Sequence, residues 1–118
     1  MSPAVESPAV ESTRCPRVSI QTASTDGTTA AVGDYAGQAV KGLENMRIAL
    51  HAAGAGLEDV ISTRVLVASH QQADLVSAWN VVRDAFGDHD VPSTLLGVTV
   101  LGYDHQLVEV EAVAAVRD

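Results

Sequence analysis

The chain closes on a run in which apolar and acidic residues alternate, Leu107-Val108-Glu109-Val110-Glu111-Ala112-Val113-Ala114. Successive side chains of a β-strand point to opposite faces, so a strand sorts Val108, Val110 and Ala112 to one side and Glu109 and Glu111 to the other. A segment of this kind has to pair into a sheet with one apolar and one polar face. The plain account of the two carboxylates is a solvated face, which antiparallel sheets often present. The sharper account is that at least one of them lines a pocket. Just upstream, the segment from Val91-Pro92-Ser93-Thr94 through Val100 reads as another strand, with Gly102-Tyr103-Asp104-His105-Gln106 as the polar excursion between the two.

Upstream of this pair, strands and helices take turns. A strand is expected from Arg17 to Ala23, followed by a turn at Ser24-Thr25-Asp26-Gly27, where Asp-Gly is the turn signal. Only one strand is evident before the first helix. Ala36, Val40, Leu43, Met46, Leu50 and Ala53 recur at helical spacing and predict a helix from Asp34 or Tyr35 to Ala53. Gly54 and Gly56 supply left-handed residues to end it. From Val60 to Ala68, Thr63, Val65 and Val67 alternate with Ser62, Arg64 and Leu66, which is a strand pattern. Ser69 suits an N-cap, and Leu75, Ala78, Trp79, Val82, Ala85 and Phe86 form the apolar side of a second helix that stops at Gly87. Residues 2–6 and 7–11 repeat Ser-Pro-Ala-Val-Glu, a unit too short and proline-bound to bury a core. Residues 1–13 are therefore expected to form a flexible tail, and 14–118 a single domain. The order β, (β), α, β, α, β, β, with one apolar stripe per helix, implies an α+β fold: a mixed sheet with two helices packed on one face.

Bulk composition removes several classes of function. A length of 118 residues suits one domain. No apolar run approaches the ~20 residues that a membrane span needs, and the first residues lack the basic and apolar segments of a secretory signal. No membrane partner is expected, and a cytoplasmic location is the default. The single Cys15 cannot form an internal disulfide. Arg14 and Arg17 beside it favour a thiolate, but a lone cysteine next to a tail reads more simply as inert. A net charge of −8, with one Lys and six scattered Arg, argues against nucleic acid as a partner. No metal or other cofactor is expected. Asp88-His89-Asp90 are adjacent loop residues, which rarely converge on one ion, and His51, His70 and His105 lack ligand spacing. There is neither a phosphate-cradling glycine loop nor a Gly-x-Ser-x-Gly elbow.

Five segments, taken in order, go further. They are Gln38-Ala39 with Leu43-Glu44-Asn45; Ala52-Ala53-Gly54; Leu57-Glu58-Asp59-Val60 followed by Thr63-Arg64-Val65-Leu66-Val67; Pro92; and Val108-Glu109-Val110-Glu111-Ala112-Val113-Ala114. Together they resemble the RidA/YjgF family of reactive-intermediate (imine and enamine) deaminases, over roughly Val18 to Val116. The resemblance implies a chorismate-mutase-like fold in which three sheets pack into a trimeric barrel, with small-molecule pockets in the clefts between subunits. It also implies roles. The family's Pro-Ala-Arg-Ser arginine clamps a substrate carboxylate, a task that suits a planar, bidentate guanidinium. Thr94 stands at that position here, and its neighbours Ser93, Leu95 and Leu96 are neutral. Glu109 matches the pocket glutamate that positions or activates water and is the candidate catalytic residue. Leu96 matches a position whose backbone contacts ligand. Trp79 matches a position often held by a pocket asparagine, although an anchor on the helix's core side explains it equally well. Glu111 reads as structural, paired with Arg64.

The expectation is thus a cytoplasmic, homotrimeric enzyme that acts on a small imine, enamine or related reactive metabolite. Thr94 implies that ordinary 2-imino acid deamination is weak or absent. The rivals are a non-catalytic protein that binds or protects a metabolite, and a tailoring enzyme of a specialised pathway that reuses the same cleft.

Overall fold

The computed structural model describes residues 13–14, 17–21 and 31–117, the first two segments and Arg117 by backbone alone. The elements are β1 (Thr13–Arg14), β2 (Arg17–Gln21), α1 (Tyr35–Ala52), a 3-10 turn (Leu57–Asp59), β3 (Val60–Ala68), α2 (Gln72–Phe86), β4 (Ser93–Val98), β5 (Val108–Ala114) and β6 (Val116–Arg117). Cys15, the Asp26-Gly27 turn and all of the expected tail except Thr13 lie outside the described residues. Thr13 pairs with Arg117 in a separate two-stranded ribbon of β1 and β6.

The alternating run organises the main sheet. β5 pairs antiparallel with β2 on one side and with β3 on the other, and β4 joins β3 in parallel, giving the order β2-β5-β3-β4. The mixed character follows from the connections. α2 is a crossover that returns the chain parallel, whereas the excursion after β4 brings it back antiparallel. In β5, Val108, Val110, Ala112 and Ala114 are buried while Glu109, Glu111 and Val113 are half-exposed. β3 sorts the same way, with Thr63, Val65 and Val67 buried. The buried set faces the helices: α1 lies over β5 and β2, and α2 over β3 and β4. The expected α+β architecture, a mixed sheet with both helices on one face, is what forms.

Some boundaries and faces differ from expectation. The core side of α1 is Gln38, Ala39, Gly42, Leu43, Met46 and Leu50, while Val40 is 54% exposed. Val40 instead lines an open recess between the two helices, beside Val81 and Ala85. Asp34 caps α1 by accepting a hydrogen bond from Gly37 N at 2.9 Å. Ser69 does not cap α2. The helix starts at Gln72, and Ser69 instead donates to Asp74 Oδ2 at 2.7 Å and accepts from Gln71 N at 3.0 Å. Gly54 takes φ 81° as expected, but Gly56 is extended at φ −134°.

One buried polar side chain ties the excursion to the helical layer. Gln38, fully buried, donates from Nε2 to the His105 carbonyl at 2.8 Å and accepts from Leu107 N at 2.7 Å. His105 sits in the left-handed region, at φ 60°. The Gln38 amide thus secures the residue just before β5 and sets where that strand begins. Gln38→Leu keeps the bulk but leaves both backbone groups without this partner. It should lower the free energy of unfolding by about 2–3 kcal/mol, the usual cost of stranded polar groups. The urea midpoint should fall with the slope unchanged, and an unaltered midpoint would show that the excursion is held by other contacts.

Candidate functional site

Both helices lie on one side of the sheet, so its other face is left open among the described residues. The pairing register lays that face out in rows. Thr94 on β4 stands beside Arg64 on β3, which stands beside Glu111 on β5. In the next row Leu96 stands beside Leu66, which stands beside Glu109. Val98 and Ala68 follow. Ser19 and Gln21 of β2 occupy the register positions next to Glu111 and Glu109. Neighbouring strands lie ~4.8 Å apart, so Thr94, Leu96 and Glu109 fall within the span of one small molecule.

This face mixes chemistries that rarely share a solvated surface. Leu96 is 45% exposed, and Leu66, Val98 and Val113 are half-buried. Between them lies one close ion pair, Arg64 Nε to Glu111 Oε1 at 3.3 Å. A recess of about 200 Å³ is lined by Ser62, Thr63, Arg64, Glu111, Ala112 and Val113. Apolar strips flanking a charged pair suit a ligand with a short hydrocarbon body and a polar group. A larger recess, about 490 Å³, opens where β3 and β4 end, between Ser69, His70, Gln72, Leu75 and Thr99. Gly97 borders it. A β-carbon there would come within 2.6 Å of the Ser69 carbonyl, so the backbone approach demands glycine.

Of the four residues expected at the site, three are brought together. Trp79 is not. It packs against the core from α2, on the opposite side of the sheet, and borders a recess with Arg83, Phe86, Val91 and Ser93. Its indole meets the spacing of the buried helix face, and that packing decides its position. The pairing of Glu111 with Arg64 is as expected. The proximity of Arg64 to Thr94 was not anticipated: the two are 30 residues apart, and only the parallel register joins them. His89 of the Asp88-His89-Asp90 loop bonds through Nε2 to the Val60 carbonyl at 2.8 Å. Among the described residues no group of three His, Cys, Asp or Glu could hold a metal ion, and no helix is long and apolar enough to cross a membrane.

Residues 4–116 match the model of the family described as endoribonuclease L-PSP. The chain belongs to this family, which is also called YjgF/RidA. A member of the YjgF/YER057c/UK114 family from Mycobacterium tuberculosis is 33% identical, with a TM-score of 0.72 over 86% of this chain and 79% of that one. The Rid-family protein YyfB from Yersinia pestis is 26% identical, with a TM-score of 0.77 over 87% of this chain and 79% of its own. The YjgF gene product of E. coli shares the fold at 24% identity and a TM-score of 0.74, over 87% and 81% of the two chains. A comparison with curated proteins finds no significant match. Membership in the YjgF/RidA family accounts for the architecture; the open face carries what is particular to this chain.

The Arg64 side chain is 53% exposed and that of Glu111 20%, so water screens their attraction. Exposed pairs contribute under about 1 kcal/mol. Glu111→Gln should therefore change unfolding stability by no more than that in urea titration. A loss of several kcal/mol would make the pair a folding element rather than a feature of the site.

Proposed function

We propose that the chain is a RidA-like enzyme acting on a small imine, enamine or related reactive metabolite at a cleft completed by neighbouring copies in a homotrimer. The observation that carries this reading is the gathering of Glu109, Thr94 and Leu96 in adjacent rows of a sheet face that the described residues leave uncovered. In this reading Glu109 orients the attacking water and relays its proton. Water adds to the C=N carbon, the nitrogen leaves as ammonia, and a carbonyl remains. Thr94 offers a hydroxyl to the ligand, and the strand backbone at Leu96 lines its other side. Leu66, Leu96, Val98 and Val113 support an assembly of copies through this face, since a neighbouring copy would remove their apolar side chains from water.

Thr94 also supports a rival reading, a protein that binds or protects a metabolite without turnover, or a tailoring enzyme that reuses the cleft. The ribonuclease named in the family description finds little support in a chain with one Lys, six Arg and a net charge of −8.

Three measurements check the proposal. Light scattering at micromolar concentration should give a trimer, and a stable monomer would sink the shared cleft. Glu109→Gln keeps shape and hydrogen bonding but removes the ionisable proton. It should cut turnover by ~10²-fold, the scale of a lost acid–base group, with little change in binding. Equal losses from Glu109→Gln and Glu111→Gln would mean that the reacting centre lies elsewhere. The imine of pyruvate, released by serine dehydratase, should be hydrolysed no faster than it decays spontaneously, and faster by Thr94→Arg. Acceleration by the native protein matching an arginine-bearing relative would refute the role given to Thr94.

A further inference from the structure

We infer that Arg64 is the anion-recognising residue of this open face, taking a ligand carboxylate beside Thr94 in exchange for its contact with Glu111. This rests on the reading of the open face as the ligand site, and it assigns the charge selection within that site.

The register makes Arg64 the neighbour of Thr94 on one side and of Glu111 on the other. β4 and β5 carry no Lys or Arg, so across β3, β4 and β5 Arg64 supplies the positive charge. Its contact with Glu111 uses Nε. The Nη edge of the guanidinium makes no further hydrogen bond among the described residues, and half of the side chain is exposed above the 200 Å³ recess. That edge is a planar pair of donors, the geometry that receives both oxygens of one carboxylate. Because the Arg64 half of the pair is exposed to water, which screens the contact, the guanidinium can exchange partners. Thr94 can add a hydroxyl donor from the next strand, and Leu66 and Leu96 floor the adjoining row for a short apolar body.

The arrangement differs from a guanidinium borne by residue 94 itself. A carboxylate held by Arg64 lies one strand spacing, ~4.8 Å, closer to β5, and it competes with Glu111 for the same cation. The ligand class is a small molecule with one carboxylate or similar planar oxyanion, bound modestly, and seated one strand spacing away from where a guanidinium at residue 94 would hold it. This gives a physical reason why ordinary 2-imino acids can bind here without efficient turnover.

The test titrates the full-length protein with pyruvate, followed by NMR, and uses the uncharged pyruvamide as a control. Arg64→Gln should weaken pyruvate binding about tenfold or more, Arg64→Lys less, and Glu111→Gln should tighten it by up to about fivefold by freeing the guanidinium from a weak pair. Pyruvamide affinity should follow none of these changes. Arg17, at the register position opposite Val113 on β2, is the competing cation, and Arg17→Gln should leave pyruvate binding unchanged. Circular dichroism confirms that each variant is folded, and Arg64→Lys keeps the test valid if the glutamine variant is not. Unchanged affinity in Arg64→Gln, loss confined to Arg17→Gln, or no measurable binding by both the native protein and Glu111→Gln would overturn the inference. Pyruvate binding through Arg64 in a protein that turns over no imine or enamine, with or without a carboxylate, would instead remove the enzymatic reading and leave this one standing. Turnover of an imine or enamine together with pyruvate binding unchanged in Arg64→Gln would do the reverse.

Discussion

The pairing of β3 with β5 is the constraint on which the rest of the molecule depends. Val65 stands opposite Val110, and Val67 opposite Val108, all four fully buried beneath the helices. A slip of one residue would turn Glu109 and Glu111 toward Met46 and Leu50 and send the valines to water, an exchange that no other contact could offset. The register is therefore held by the hydrophobic effect acting on one face. The other face inherits its layout as a consequence. Arg64 meets Glu111 because Val65 must meet Val110.

The helical layer reinforces this choice from the side. Gln38 reaches from α1 to the backbone at His105 and Leu107, so that β5 starts at a defined residue. Tyr35 on the same helix donates its hydroxyl to the Ala68 carbonyl at 3.0 Å, fixing the end of β3. Two side chains of one helix thus pin the loops at the same end of the sheet, close to the rows that carry Leu96 and Glu109. A site made of residues from several strands requires such anchoring, since rigid supports position reacting groups better than loops do.

The open face explains how a family fold and a chain-specific chemistry coexist. The fold depends on buried β-branched and small residues whose identities are largely interchangeable by volume. The exposed side chains between them bear no such load and can vary. A change of side chain at an open-face position such as Thr94 would leave the architecture intact while altering what the face attracts. Fold-level similarity accordingly carries the architecture, and the ligand has to be argued from the individual residues.

Much of this was legible in the primary structure because it is local. The period-2 runs at 60–68 and 108–114 and the apolar faces at 75–86 become strands and a helix through interactions between near neighbours. The separation of Glu109 and Glu111 from Val108, Val110 and Ala112 follows from the same periodicity. Helix ends were less legible. Ser69 has the chemistry of a cap, but its hydroxyl goes to Asp74 and the helix begins later. Trp79 shows the limit most clearly: both of its readings satisfy the helical pattern, and its packing against the core from α2 became visible only in three dimensions. The charge beside Thr94 was invisible in one dimension. Ser93, Leu95 and Leu96 are its neighbours along the chain, and all are neutral, whereas its neighbour across the sheet is Arg64. Sequence by itself determined which residues face together within each element, since backbone geometry alone enforces that. Which elements lie side by side, and hence which charges share a site, was decided only by tertiary pairing, because that depends on burying distant apolar surfaces at once.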